Sequence, residues 1–334
     1  MTGAVIAAAY ALRAAGDLGT PALTWLSPIG WYQQVYAFSG LRWWPALLLV
    51  VAALATLAAA YAVFARRDFG AGVVAARPGP ARGGSWLGSP VGLAWRLQRG
   101  AVVGWALGLL ATGLSYGSIG NDAGDLIGDS DAARQMMTAS GGDLVAGFHA
   151  MAMTMLALLT AGFAISSVLR PRAEEEAGHG EALLATARSR TAFLAGHGAV
   201  TVGGSVLVLG AGGIGLGVAD ALVSGDAAAV GRFAWQTLGW LPAVLALAGL
   251  TRLLYGVRPR LAALGWLGLG AAVVVLVLGE VLRFPDWLRS LSPFEHLAAV
   301  PVEAFDPVAF GAVLGVATLL SLAGWFTFTR RDFG

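Results

Sequence analysis

The sequence lacks two residue types, lysine and cysteine, and it carries little charge. A nucleotide-binding P-loop requires a lysine in its Gly-x-x-x-x-Gly-Lys-Ser/Thr pattern, so the absence of lysine excludes that site. The absence of cysteine excludes disulfide bridges and metal sites with thiolate ligands. Only 12% of the 334 residues are charged, whereas soluble domains contain roughly 25%. A soluble globular fold is therefore a poor interpretation of this chain.

Long apolar segments dominate the sequence instead. Hydrophobic residues make up 57% of the chain, and the mean hydropathy is +0.72. A helix needs about 20 apolar residues to cross a bilayer, and the 48 glycines suit helices that pack closely in lipid. We therefore predict an all-α integral membrane protein with about eight transmembrane helices. They are placed at residues 3–16, which is marginal in length, and at 45–65, 101–119, 144–169, 197–219, 234–255, 261–282 and 307–328.

The arginines indicate how these helices are oriented. Fifteen of the 21 arginines lie in segments on one side of the predicted membrane, and five lie on the other. The positive-inside rule places the arginine-rich side in the cytoplasm. This predicts a multi-pass protein of the cell membrane with both termini in the cytoplasm. The net charge of +2 and the basic pI then reflect sidedness in a lipid bilayer, and no nucleic-acid partner is expected.

Two short sequences occur twice. Leu-Ser-Pro begins at Leu26 and at Leu291, and Arg-Arg-Asp-Phe-Gly begins at Arg66 and at Arg330, with offsets of 265 and 264 residues. We interpret this as an internal duplication, a construction common among membrane transporters. The chain would then begin within a repeat. The predicted parts are the last two spans of a first repeat at 1–70, a cytoplasmic linker with an interfacial helix at 71–100, and a six-span bundle at 101–334.

The most densely charged segment, residues 170–190, lies between two apolar runs. Glu181, Leu184 and Arg188 recur at helical spacing, which predicts a short amphipathic helix exposed to the cytoplasm. Two interpretations stay open, a solvated loop and a docking surface for a partner. The combination of apolar and acidic groups favours docking.

This segment resembles a known family. Its sequence from Glu175 to Thr186 reads Glu-Glu-x-Gly-x-x-Glu-x-Leu-Leu-x-Thr, which is similar to the coupling-helix loop of type-two ABC exporter permeases. The segments Trp-Leu-Ser-Pro-Ile-Gly-Trp at 25–31 and Arg-Arg-Asp-Phe-Gly-Ala-Gly at 66–72 resemble the actinobacterial branch labelled exporters of polyketide antibiotics. Members of that branch are duplicated permeases of twelve spans. By that pattern four spans of the first copy would be missing from the sequence given, and His179 stands where threonine is common.

The resemblance implies the permease subunit of an ATP-driven exporter for hydrophobic or amphipathic compounds such as antibiotics. The chain itself would be no enzyme and would bind no cofactor, because ATP and Mg²⁺ would be held by a separate ABC ATPase subunit. A second permease bundle would come from a homodimer or from a companion permease chain. The residues that would couple the permease to the ATPase are Glu175, Glu176, Gly178, Glu181, Leu183 and Leu184.

Two other classes of function stay open, a non-transporting scaffold or regulatory subunit of the membrane and an intramembrane enzyme. The four histidines are far apart in sequence, and no catalytic constellation or metal cluster is recognised. The substrate-binding residues cannot be predicted from the sequence. A co-purifying ATPase would favour the exporter, whereas activity of the isolated chain on lipid or peptide would favour the enzyme.

A glycine-rich match at Gly210-Ala-Gly-Gly-Ile-Gly215 resembles a dinucleotide-binding fingerprint. Such a site needs a soluble βαβ unit, but the match lies inside a long apolar run. We interpret these glycines as contacts between membrane helices.

Four ionisable residues lie near membrane depth, namely His149, His197, Arg252 and Glu280. Charge inside a membrane is costly and is often functional. Their positions near the ends of the predicted spans favour packing or snorkelling over contact with a substrate.

Overall fold

A computed structural model of the chain describes residues 9–10, 12–13, 16, 21–36, 40–66, 84–120, 144–176, 190–279 and 281–330. These residues form α-helices and short 3₁₀ turns, with no strand among them. The chain divides into two compact units, Met1–Gly83 and Gly84–Gly334. The all-α prediction is confirmed.

In the first unit the structure describes the helices α1 (Pro21–Thr24), α2 (Pro28–Gln33) and α3 (Trp44–Ala65). A proline in the first turn begins both α2 and α3, a position where the missing N–H costs no helical hydrogen bond. The side chains of Trp25 and Trp44 stack with their ring centroids 4.8 Å apart. This contact joins the start of the membrane-length helix α3 to the short helices before it.

The second unit is a bundle of longer helices. Its helices are α4 (Pro90–Gly120), α5 (Leu144–Glu176), α6 (Arg190–Ser224), α7 (Ala229–Leu238), α8 (Leu241–Val257), α9 (Gly265–Leu278), α10 (Asp286–Arg289) and α11 (Pro307–Arg330). Among the described residues, 3₁₀ turns precede α4 at Ser85–Gly88, connect α8 to α9 at Pro259–Leu264, and lie between α10 and α11 at Pro293–His296.

Seven segments of the described chain are long and apolar enough to cross a membrane. They match the last seven predicted spans and confirm a multi-pass membrane protein. The first predicted span, 3–16, lies largely outside the described residues. Residues 90–99, predicted to lie on the membrane surface, form the first turns of α4 and continue without a break into the span. The seven are Trp44–Ala65, Pro90–Ser118, Val145–Glu175, Thr191–Ser224, Ala229–Val257, Pro259–Leu278 and Pro307–Arg330.

Helix α5 is the centre of the bundle. Most of its membrane-length apolar stretch is buried, and the helix contacts α4, α6, α8 and α9. Met153, Ala157, Ala161 and Ile165 have no exposed surface. A helix that is apolar on all sides is expected to be surrounded by protein or lipid, and the alanines on α5 let its neighbours approach closely.

Glycines of α6 allow it to pack closely against α4 and α5. A Cβ atom on Gly215 of α6 would collide with the backbone carbonyl of Leu110 on α4, and a Cβ on Gly212 would lie 3.2 Å from the Leu156 side chain. These two glycines belong to the Gly210–Gly215 match, which lies inside α6. The interpretation of that match as a helix-packing surface is confirmed.

The two Leu-Ser-Pro segments have the same local conformation. Ser27 and Ser292 are both buried and extended, and each immediately precedes a short helix that begins with proline. The preceding residues Leu26 and Leu291 are 64% and 70% exposed. Each segment is followed by a membrane-length helix, α3 or α11. The duplication itself stays a prediction.

Candidate functional site

The C-terminal end of α5 carries the start of the predicted coupling segment. Glu174 pairs with Arg170 one turn earlier, with nitrogen and oxygen 2.9 Å apart. The Tyr255 hydroxyl of α8 donates a hydrogen bond of 2.8 Å to the Glu175 carboxylate. Tyr255 is fully buried and stacks on Phe328 of α11. The start of the coupling segment is therefore attached to both α8 and α11.

A proline lies just before this end of the helix. Pro171 is inside α5 and has no N–H to donate to the carbonyl of residue 167, four positions earlier. The helix continues to Glu176 despite this missing bond. Proline is a recognised cause of bending inside a helix, so the last turns of α5 can change direction more easily than the rest.

The structure describes only two of the six predicted coupling residues, Glu175 and Glu176. Glu175 lies on α5 and is bonded to Tyr255, as described above. Glu176 is the last residue of that helix. Gly178, Glu181, Leu183 and Leu184 lie outside the described residues, so the coupling surface stays a prediction. The bond from Tyr255 was not foreseen, because the two residues are 80 positions apart in sequence.

A buried polar network joins three helices. Ser167 of α5 donates to the Gln98 side-chain oxygen at 2.7 Å and lies 2.8 Å from the Thr201 hydroxyl of α6. The Gln98 amide nitrogen of α4 lies 3.1 Å from Nδ1 of His197 on α6. Because an amide nitrogen can only donate, Nδ1 accepts, and the imidazole is neutral with its proton on Nε2. The network fixes the mutual register of α4, α5 and α6.

An open cleft, here called the Arg252 cleft, lies between α6, α8 and α11. Its volume is about 320 Å³, within the roughly 300–1,000 Å³ typical of ligand sites. Apolar and small side chains form most of its wall, and Thr201 connects that wall to the polar network. Arg252 contributes the cleft's charge. The lining residues are Val168, Ala195, Gly198, Ala199, Thr201, Val202, Leu245, Ala248, Arg252, Leu314, Ala317, Thr318, Ser321, Leu322 and Trp325.

The Arg252 guanidinium lies against the backbone of α6. A Cβ atom on Gly198 would be 2.5 Å from one guanidinium nitrogen and 2.9 Å from the other. Gly198 therefore leaves the space that Arg252 occupies. For Arg252 the sequence favoured packing or snorkelling, and the structure places its guanidinium against α6 in the cleft. An isolated arginine in an apolar run was the available sequence feature, and the partner helix could not be inferred from it.

A second cavity, here called the Gln236 pocket, is lined by α7 together with residues of α6, α8 and α11. Its volume is about 450 Å³, and it is lined by Val206, Trp235, Gln236, Leu238, Gly239, Leu241, Val300, Phe305, Pro307 and Phe310. Gln236 supplies its polar side chain, and all other lining side chains are apolar apart from the indole N–H of Trp235.

The remaining ionisable residues near membrane depth have packed positions. His197 is 3% exposed within the polar network. His149 of α5 is also buried, 3.8 Å from a carboxylate oxygen of Asp220 on α6, with its ring edge against Phe233. Both histidines have the packing role that the sequence favoured. Glu280 lies outside the described residues.

Comparison with known proteins gives two matches. A family model described as "Multidrug efflux system permease Rv1217c, C-terminal domain" matches residues 87–329. The chain is also 39% identical, over 336 aligned residues, to the multidrug efflux system permease protein Rv1217c of Mycobacterium tuberculosis (strain ATCC 25618 / H37Rv). That alignment covers 98% of this chain and 61% of the relative, so the chain spans about three fifths of the relative's length.

Proposed function

The chain belongs to the family of the multidrug efflux system permease Rv1217c, C-terminal domain, and from this we propose that it is the membrane subunit of an ATP-driven exporter. The proposed cargo is a hydrophobic or amphipathic compound. The observation that carries the proposal is the family match over residues 87–329, which reaches from the 3₁₀ turn before α4 almost to the end of α11. The relative's name describes multidrug efflux for that protein.

The bundle offers a route by which force could reach a bound compound. We propose that an ATPase docks on residues 174–190 and displaces the end of α5. Tyr255 and its stacking partner Phe328 connect that end to α8 and α11. Both of these helices line the Arg252 cleft. A displacement of the coupling segment would therefore change the shape of the cleft.

A second bundle would complete the transport pathway. Helix α11 is mostly exposed along its length and presents apolar side chains such as Leu319 and Phe326. In a membrane such a surface contacts lipid or another helical bundle. We propose that a second permease bundle, from another copy or from a companion chain, works with this one. The arginine distribution supports a cytoplasmic position for the coupling segment.

The test is co-purification of the tagged chain with a candidate ABC ATPase from detergent. We expect a stoichiometric complex that is lost in Glu181→Arg, because the substitution reverses a charge on the docking surface. Asp286→Arg is the matched control, since Asp286 is exposed at the start of α10, on the predicted opposite side. Equal retention of the ATPase by both variants contradicts the proposed docking surface. A chain that binds no ATPase and stimulates no ATP hydrolysis contradicts the exporter and supports a scaffold.

A further inference from the structure

The Arg252 cleft and the Gln236 pocket lie along the same three helices. On each helix, a residue lining the cleft and a residue lining the pocket are four positions apart, which is about one helical turn, or 6 Å. On all three helices, the pocket residue lies farther than the cleft residue from the side of the bundle at which Glu175 lies. The pairs are Val202 and Val206 on α6, Leu245 and Leu241 on α8, and Leu314 and Phe310 on α11. The two cavities are thus neighbours along these helices, offset by about one turn, and together they are here called the track.

Within the part of the chain that the structure describes, each section contains a polar group that lacks a protein partner. Among the described residues, no carboxylate or hydrogen-bond acceptor pairs with the Arg252 guanidinium. The side-chain oxygen of Gln236 is buried, and the same part of the chain provides it with no donor. Unpaired polar groups in apolar surroundings cost free energy. A ligand that supplies both partners would remove this cost.

Arg252 lies at the predicted cytoplasmic end of the cleft. Its guanidinium lies beside Gly198, and both residues are close to the predicted cytoplasmic ends of their spans, 197–219 and 234–255. An acidic group can therefore reach it from the cytoplasm. The distance along α8 from Arg252 to Leu241, which lines the Gln236 pocket, is eleven residues, or about 16 Å.

We propose that this track binds an elongated amphipathic anion as the transported compound. Its acidic group pairs with Arg252, its apolar body follows α6, α8 and α11, and a hydrogen-bond donor at its other end reaches Gln236. This names the substrate class for the proposed exporter and rests on that function. Binding can nevertheless be measured without any ATPase. A failure of the proposed substrate class can therefore be distinguished from a failure of the proposed exporter function.

The experiment uses the purified full chain in detergent and three fluorescent probes. Dansylaminoundecanoic acid has a carboxylate at one end, a sulfonamide N–H at the other, and an alkyl chain of suitable length. Its methyl ester lacks the negative charge. Dansylglycine keeps the carboxylate but is too short to reach Gln236. Dissociation constants are measured from the rise in dansyl fluorescence, and correct folding is checked by size-exclusion chromatography and by circular dichroism.

Two substitutions separate the ends of the track. We expect Arg252→Gln to weaken both acidic probes about tenfold or more and the ester by less than about threefold, as expected for loss of a charge-assisted contact. Arg252→Lys keeps the charge and should restore most of the affinity. Gln236→Leu should weaken the two long probes several-fold and leave dansylglycine unchanged. Equal effects of Arg252→Gln on acid and ester, or no effect of Gln236→Leu, overturn the proposal.

A glycine pair on α6 provides a further matched comparison. Gly198→Ala displaces the guanidinium, whereas a Cβ on Gly203 meets nothing within 4 Å. We expect several-fold weaker binding of the acidic probes in Gly198→Ala and wild-type binding in Gly203→Ala. Identical binding in these two variants contradicts the role of Arg252. Displacement of the probe by anionic phospholipid at lower concentration than by undecanoic acid would assign the site to a lipid headgroup and overturn the proposal.

Discussion

Removal of the Tyr255 hydroxyl tests the attachment between the coupling segment and the bundle. Tyr255→Phe keeps the buried ring and its stacking on Phe328, and it deletes the 2.8 Å hydrogen bond to the Glu175 carboxylate. Hydrogen bonds to charged groups contribute about 1.5–3 kcal/mol. Because Glu175 is only partly buried and can recover water, we expect a loss near the lower end, about 1.5 kcal/mol.

The assay is thermal unfolding in detergent, followed by the fluorescence of the 12 tryptophans. A loss of about 1 kcal/mol lowers Tm by about 2–4 °C in a domain of 150–250 residues, so a loss of about 1.5 kcal/mol should lower it by roughly 3–6 °C. Tyr61→Phe is the matched control, because Tyr61 is 74% exposed on α3, and it should leave Tm unchanged. In complex with the ATPase, Tyr255→Phe should also reduce the stimulation of ATP hydrolysis by a transported compound.

A double-mutant cycle decides whether the two residues act together. Glu175→Ala should destabilise the chain, and adding Tyr255→Phe should then cost little more, because the shared bond is already absent. Fully additive losses for Glu175→Ala and Tyr255→Phe would refute the attachment. An unchanged Tm in Tyr255→Phe would refute it as well.

Three further predictions concern the polar network, the helix contacts and the topology. Ser167→Ala leaves the Gln98 side-chain oxygen and Thr201 without their shared partner, so we expect a loss of about 1–3 kcal/mol. Ser115→Ala removes only an exposed bond to the Ala111 carbonyl within α4 and should change Tm little. Gly215→Ala should destabilise the α4–α6 contact strongly enough to lower expression, while Gly210→Ala, with open space around its Cβ, should be neutral or stabilising by up to about 1 kcal/mol. Because the chain has no cysteine, single cysteines report topology directly. Glu181→Cys should react with an impermeant maleimide only after cell lysis, and Asp286→Cys should react in intact cells. Labelling of Glu181→Cys from outside would contradict the orientation and the docking of an ATPase there.

The sequence predicted the membrane helices because their evidence is local. Apolar runs such as 45–65 and 307–328 contain the necessary length and composition in themselves, and charge at Arg66 and Arg330 marks their ends. The packing role of Gly212 and Gly215 could be predicted for the same reason, since small residues in an apolar run have few other uses.

The cleft could not be predicted in this way. It depends on which side of α6 faces α8 and α11, and the helices are apolar on several sides, so periodicity does not identify the facing residues. Gln98 lies in a segment that resembles a surface helix, and its partners Ser167 and His197 are 69 and 99 positions away. Arg252 was recognised as unusual, but its contact with Gly198 is a property of the folded chain.

The proline in α5 has a mechanical consequence. Its missing N–H removes the helical bond to the carbonyl of Ser167, and the side chain of that same serine holds α4 and α6 together. The missing helical hydrogen bond and the side chain that links three helices therefore lie at the same place on α5, between Ser167 and Pro171. A displacement of the end of α5 would bend its last turns at this point and would act on α6 through Thr201 and on α8 through Tyr255, and both of these helices line the Arg252 cleft.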